Sequence, residues 1–499
     1  MKKILHKNIL LFTIILLAVL LRFYNYPNRI SFDRDASLDA LVARSGSANF
    51  QFPLTGPFSS AAPITTGPWY YYQMIVTNLV VPSVYAPWIS FAISSLILVL
   101  AMYRVGFLLK DKRMGLVLAC VAAISPVQIS ISAGLGNASL LGQFAGIIIW
   151  LYLEITLHKK SALWDLLLGF MIGVSINYHF QAFLLLPFFG YLLFRRKTFF
   201  SSILHALLGF IISFLPLLFF DLNNHWFNLS RVYDFVVLEK SGTIEIKRWL
   251  TYIPIFWNNL ISSVLGVPKS ISIIIFLMGF LANIYLLFRT RNSKQKFFLV
   301  FIFIFQFLFL RYYRGPLRDN YVQFFHPFIF IFTGSFIYLL SDIISNIFYK
   351  YFKPKTYFFP LSTAIIMLGF MFLISSAIQK QLQPNPDTYN LKLQRDDLLQ
   401  LATNGEIAVY RCKNSNTAKP WSMALMLDIN NKLWKDVKRK PVYKIGYIDQ
   451  QNCPREYLSI NESIDLSKYD PEFLNNVWEI VTPDTVYDSM VKWWYEEKP

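Results

Sequence analysis

Charge is scarce in this chain. Only 15% of its 499 residues are Asp, Glu, Lys or Arg, while 55% are hydrophobic. A soluble globular protein carries about 25% charged residues, and a mean hydropathy of +0.43 points away from that class. Acids are the scarcer sign: 29 against 47 Lys and Arg, a formal net charge of +18. Cysteine is scarcer still, with three residues, and no CxxC or Cys/His spacing suggests a zinc site. Walker A, GxGxxG and HExxH motifs are all absent. A soluble nucleotide-dependent mechanism therefore has no support.

What is present is apolar sequence in runs of roughly 20 residues, the length that crosses about 30 Å of hydrocarbon. We expect an all-α polytopic membrane protein with about eleven spans. They lie near 8–26, 86–109, 114–133, 138–157, 162–177, 179–194, 198–220, 270–288, 296–313, 321–348 and 357–378. The first run lacks a small-residue cleavage site and reads as an uncleaved span. Basic loops at Lys110–Arg113, His158–Lys160, Arg195–Lys197, Arg289–Lys296 and Lys350–Lys355 fall on one side, with the basic N-terminus. Positive charge marks the cytoplasmic face, so the net charge is read as topology and not as nucleic-acid binding.

Two domains follow. Residues 1–378 form a transmembrane unit with exoplasmic loops at 27–85 and 221–269, the second including an interfacial helix at Trp249–Val267. Residues 379–499 form an exoplasmic tail. Strand-like runs there (Ile407–Cys412, Val442–Tyr447, Val477–Val481) alternate with helical ones (Leu391–Thr403, Trp421–Leu433), the pattern of a small α/β domain. Cys412 and Cys453 fall in this tail, where a disulfide is permitted but not fixed by sequence. Asn137, Asn228 and Asn461 head glycosylation-type triplets, which also arise by chance.

Chemistry-bearing residues gather at the outer ends of spans. Ser31–Ser37 places Asp33 and Asp35 just past the first span, where an acid is costly and usually functional. Asp35 precedes a helical stretch, so it fits an N-cap as well as a base near an acceptor hydroxyl. Gly67-Pro68-Trp69-Tyr70-Tyr71-Tyr72 makes a compact turn and an aromatic run. Tyr70, Tyr71 and Tyr72 fit a membrane interface or a surface that stacks on a sugar or isoprenoid. Asp221, Asn224 and His225 cluster at another outer end. Two ligands are a weak metal signal, and contact with a bound headgroup is preferred. Arg311, Arg314 and Arg318 run against the positive-inside tendency. Arginine forks suit a lipid phosphate or pyrophosphate, or anionic lipid headgroups in general. His326 follows inside the next span, and Asn177-Tyr178-His179 lines the same side.

A first span, an outer acidic motif, a long first loop and an outer C-terminal domain resemble the GT-C glycosyltransferases. The nearest branch includes protein O-mannosyltransferases and the lipid A aminoarabinose transferase. Members commonly carry an acid followed by Ala-Arg about eight residues on, and Asp35 followed by Ala43-Arg44 matches that spacing. The chain departs from the pattern at Ala36, where Glu or Gln is usual, and at Thr66-Gly67, where a basic residue or histidine often stands. The resemblance implies a polyprenyl-phosphate-linked sugar donor (hexosyl or pentosyl), a lipid, glycan or protein acceptor, and inverting transfer at the plasma membrane's outer face. It implies Asp35 as base, Asp33 as a second acid, and the arginines with His225 on the departing phosphate. Family members differ over metal, so no cofactor is assigned and a divalent ion stays open. The competing classes are a transporter or lipid-linked-sugar flippase, and a non-catalytic assembly protein. Transporters often show internal repeats, and none is evident here.

Overall fold

A computed structural model describes residues 2–58, 64–158, 161–234, 248–290, 292–311, 319–351, 355–401, 407–412, 419–429, 431–433, 445–449, 463–465 and 478–492. Among the described residues, six helices are long and apolar enough to cross a membrane: Ala86–Leu109, Asn137–His158, Phe199–Asn223, Lys269–Phe288, Ser293–Arg311 and Tyr321–Tyr349. A pair bent by 56°, Phe358–Leu373 and Ser375–Gln400, makes a seventh if it is one span. The expected count of eleven goes beyond what length and composition show. The difference lies in shorter apolar helices, Ile9–Phe23, Ala162–Tyr178 and Phe180–Phe194, and in a break. Phe180–Phe194 is a 3-10 helix of 15 residues containing Pro187. At about 2 Å rise per residue, such a helix reaches about 30 Å with fewer residues than an α-helix needs.

The elements that position the acid motif are α1 (Lys2–Phe23), α2 (Arg34–Ala48), α3 (Trp69–Val80), α4 (Ala86–Leu109), α5 (Lys112–Ile124), α6 (Ala162–Tyr178), α7 (Phe199–Asn223) and α8 (Ser293–Arg311). The span expected at 114–133 is not continuous: α5 stops at Ile124 and a short helix restarts at Pro126. Proline cannot donate to the preceding turn, and it biases the residue before it away from the helix. The orphaned carbonyls are taken by an arginine. Arg22, fully buried in α1, donates to Ala122 O at 3.3 Å, Ala123 O at 2.9 Å and Ser95 Oγ at 2.8 Å. Arg29 does the same for the end of α1, reaching Leu21 O, Arg22 O and Tyr24 O at 3.0–3.1 Å. It also reaches Ile129 O and Gln381 O.

Helices α6 and α7 pack backbone to backbone. A Cβ on Gly169 would overlap the Ala206 carbonyl, and one on Gly209 would overlap that of Leu166. Small residues at a helix crossing permit this approach in lipid. The interfacial helix expected at Trp249–Val267 is segmented: Arg248–Thr251, a wide π turn at Tyr252–Trp257, and Asn258–Leu265, ended by Gly266 at φ 73°.

In the tail, the described strands are β1 (Ala408–Cys412), β2 (Ile445–Asp449), β3 (Ser463–Asp465) and β4 (Trp478–Ile480), in the order β3-β2-β1-β4. β1 and β2 are parallel, and the two outer pairings are antiparallel. Helices α9 (Lys419–Ile429) and α10 (Pro483–Tyr487) accompany the sheet. β2 falls on the expected run at 442–447, of which 442–444 lie outside the described residues, and β3 was not anticipated. Cys453 and Asn461 lie outside the described residues.

Gly209→Leu is expected to cost about 3 kcal/mol or more through overpacking, read as a lower thermal unfolding midpoint in detergent. Gly369→Leu, where an added Cβ meets nothing within 4 Å, should leave the midpoint unchanged.

Candidate active site

The first loop is sewn to the bundle after it leaves the acids. Gly67 N donates to Asn177 O at 2.8 Å, and a Cβ on Gly67 would collide with the Asn177 side chain. Trp69 Nε1 donates to Ser213 O on α7 at 2.6 Å, which anchors the start of α3 in the bundle. Tyr178 OH donates to Gln73 Oε1 at 2.6 Å. These contacts leave α3 rigid, and α2 lies against it.

Helix α2 carries the acids. The N-cap is Asp33 and not Asp35: Asp33 Oδ1 accepts the Ala36 N–H at 2.9 Å, while Asp35 sits in the first turn. The first-turn N–H groups of a helix lack intrahelical partners, and an extended acid before them supplies one. Asp33 and Asp35 are both exposed. The surrounding protein raises the Asp33 carboxyl above the usual value, with the Ala36 N–H opposing and the Asp35 charge adding to the rise. Asp35 accepts no hydrogen bond in its side chain from any described residue.

A third acid was not singled out from sequence. Asp39, one turn beyond Asp35, is buried and accepts hydrogen bonds from Tyr70 OH at 3.0 Å and Tyr71 OH at 2.9 Å. Burial pushes its pKa up to about 7, against the lowering effect of the two tyrosine hydroxyls, with Asp35 and Asp33 adding smaller rises. The only sequence signal was its spacing of four from Asp35, which puts both carboxylates on one helical face. Tyr70 and Tyr71 are fully buried, so the structure places them on Asp39, not on an open stacking surface. Tyr72 is partly exposed and packs edge-on to Trp69 and Phe52.

The other expected contacts stand elsewhere. Asp221 is buried and accepts from Asn228 N and Leu229 N at 2.8 and 3.2 Å, capping the short helix Phe227–Tyr233. Asn228 in turn accepts from Thr65 N at 2.9 Å and is buried, so its triplet is not a surface acceptor. Asn224 Nδ2 donates to Phe220 O at 2.8 Å. His225 is exposed, and it and Trp226 both adopt left-handed backbone, φ 52° and 60°. A pair of non-glycine residues there stores strain. His326 is buried with Nδ1 3.0 Å from Gln128 Nε2. His179 stacks on Tyr321 with centroids 4.8 Å apart. Arg311 is buried in the last turn of α8. Arg314 and Arg318 lie outside the described residues.

The apolar helical bundle with a loop-borne acid helix on one end is similar in fold to a solved membrane transferase, and part of it matches a transferase family model. Residues 68–220, from the start of α3 to the end region of α7, match the family model described as dolichyl-phosphate-mannose-protein mannosyltransferase. Helix α2 precedes that segment. The structure of ArnT from Cupriavidus metallidurans bound to undecaprenyl phosphate superposes with a TM-score of 0.56 at 11% identity, over 83% of this chain and 85% of that one. Its apo state gives 0.56 at 12%, over 83% and 84%. The Archaeoglobus fulgidus oligosaccharyltransferase in its apo form gives 0.48 at 13%, over 79% of this chain. The present chain spans 58% of that protein's length. Comparison with curated protein sequences finds no match.

Asp39 ties pH to stability with a definite sign. A carboxyl raised in the folded state stabilises fully below its unfolded value, 3.8, and loses that contribution as pH rises through about 7. Asp33, also raised, adds a slope of the same sign. Asp39→Asn is expected to flatten the fall in unfolding midpoint across this window. An unchanged slope in a pH series would show that Asp39 does not titrate there.

Proposed function

We propose that this multi-pass membrane protein is an inverting glycosyltransferase. It moves a sugar from a polyprenyl-phosphate donor to a hydroxyl acceptor on the exoplasmic side. The observation that carries the reading is Asp35. It is an exposed carboxylate with no hydrogen bond from a described residue, on a helix capped by Asp33 and held by buried contacts, in a chain with the GT-C fold. ArnT of the same fold was solved with undecaprenyl phosphate bound, which favours a lipid-phosphate donor here.

The chemistry follows from those groups. Asp35 takes the acceptor hydroxyl proton as that oxygen bonds to the anomeric carbon. The bond from that carbon to the donor phosphate oxygen breaks on the opposite side, giving inversion and releasing the polyprenyl phosphate. Asp33, committed to its cap, holds the helix end and adds a negative field. Arg311, with Arg314 and Arg318, neutralises charge on the departing phosphate, an electrostatic role that grows in the transition state. His225 and Tyr72 are the remaining candidates for contacts to the donor.

Asp35→Asn is expected to lower transfer from polyprenyl-phosphate sugars by about 100- to 10 000-fold, the usual range for a positioned acid–base group. The unfolding midpoint should be unchanged. Full activity in that variant refutes the base assignment. Arg311→Gln should raise the donor KM more than the acceptor KM. A protein that moves a lipid-linked sugar across vesicles without forming a glycosidic product would instead be a flippase.

A further inference from the structure

Helix α2 has two contact faces. Asp35, Asp39, Val42 and Gly46 recur at helical spacing on one of them. On this face Asp39 meets Tyr70 and Tyr71, and Gly46 abuts the Ile75 side chain, all on α3. Arg34, Ser37, Arg44, Ser45 and Ala48 form a second stripe. Every described polar contact from the side chains of Arg34, Ser37 and Arg44 to a distant element goes to α9. The Arg34 guanidinium lies 5.6 Å from the Trp421 ring centre. Ser37 Oγ and Ser422 Oγ are 2.7 Å apart and buried. Arg44 Nε and Nη2 donate to Asp428 Oδ2 at 3.0 and 2.9 Å, and Asp428 is only 2% exposed. Beyond them, Ser45 Oγ and Asn49 Nδ2 both donate to Asp484 on α10.

The grip is closest where the acids are. Ser422 Oγ also donates to Phe32 O at 3.2 Å. Residues 32, 34 and 37 are therefore all held by Trp421 and Ser422, and they bracket Asp33 and Asp35. A tail that only decorated the bundle would touch loops through exposed side chains. Here it pairs half-buried Arg44 with a buried carboxylate, Asp428, which would be left uncompensated if its partner were lost. It also buries a hydroxyl pair against the helix that bears the reactive carboxylate.

We infer that the tail is a positioning element for the acid helix: Trp421, Ser422 and Asp428 of α9 hold Asp35 in its working orientation. This rests on the transferase reading. The docked arrangement is the active one, so fixing it covalently preserves activity and loosening it lowers turnover without weakening donor binding.

The test uses the full chain in lipid nanodiscs. Ser37→Cys with Ser422→Cys places two thiols where the oxygens now touch, and mass spectrometry of the linked peptide reads the bond, with each single-cysteine variant as control for the native cysteines. The linked peptide should form, and the oxidised protein should keep transferring sugar. Asp428→Asn should lower kcat by about 10- to 100-fold, the scale of a misplaced catalytic group, with the donor KM unchanged. Oxidising the cysteine pair in the Asp428→Asn background should restore kcat while the donor KM stays unchanged. An absent crosslink, an inactive crosslinked protein, or an Asp428→Asn defect that the crosslink does not repair each overturns the inference. Failure of the transferase reading shows differently: the wild type transfers no sugar, while the linked peptide still forms.

Discussion

Backbone groups buried in lipid have to be satisfied inside the protein, and the half of this structure that carries the acid helix depends on how two arginines meet that demand. A helix that stops within a membrane leaves about four carbonyls unpaired, each costing several kcal/mol in hydrocarbon. Arg22 takes those of α5 at the Ser125-Pro126 break, and Arg29 takes those of α1. Cations at helix C-termini also oppose the negative end of the macrodipole. The exit of α1 is thereby fixed to the rest of the bundle. Asp33 begins only four residues after Arg29, so the acid helix inherits that fixed origin.

From there the order is built by opposing contacts. On one side Asp39 draws two tyrosines into the interior, and the hydrogen bonds partly offset what burial costs a carboxylate. On the other, the tail supplies a buried carboxylate for Arg44 and paired hydroxyls. Neither contact involves Asp35. The scaffold is satisfied through neighbours, and the Asp35 carboxylate takes no hydrogen bond from a described residue, as the proposed role of a base requires.

Much of this was legible in one dimension. Apolar runs located the helices, and the acidic motif past the first span located the carboxylates, because both signals are local. Capping was half legible: the segment was read as a helix start, but the carboxylate that caps it is Asp33, since Ala36 is the N–H within reach. The break after Ile124 was written in Pro126 and was hidden by the unbroken apolar composition around it. Asp39 escaped because its meaning lies in partners 31 and 32 residues away, on a segment whose tyrosines resemble an interfacial belt. Arg44 was visible as a motif residue, yet its partner lies 384 residues further on, and no periodicity encodes a pairing at that distance. Asp221 looked like a ligand because acids at span ends often are. Its carboxylate instead satisfies the first N–H groups of a short helix, a requirement visible only once the chain is folded.

The bond between Ser37 and Ser422 closes a loop of 385 residues, and that has a consequence for biogenesis. At a synthesis rate of about 5–20 residues per second, the acid helix emerges roughly 20–80 s before the segment that grips it. During that interval the carboxylates are present on a helix supported from one side only. Completion of the site is therefore coupled to completion of the chain. A partly inserted nascent chain lacks the contacts that α9 makes with this helix until translation has passed α9.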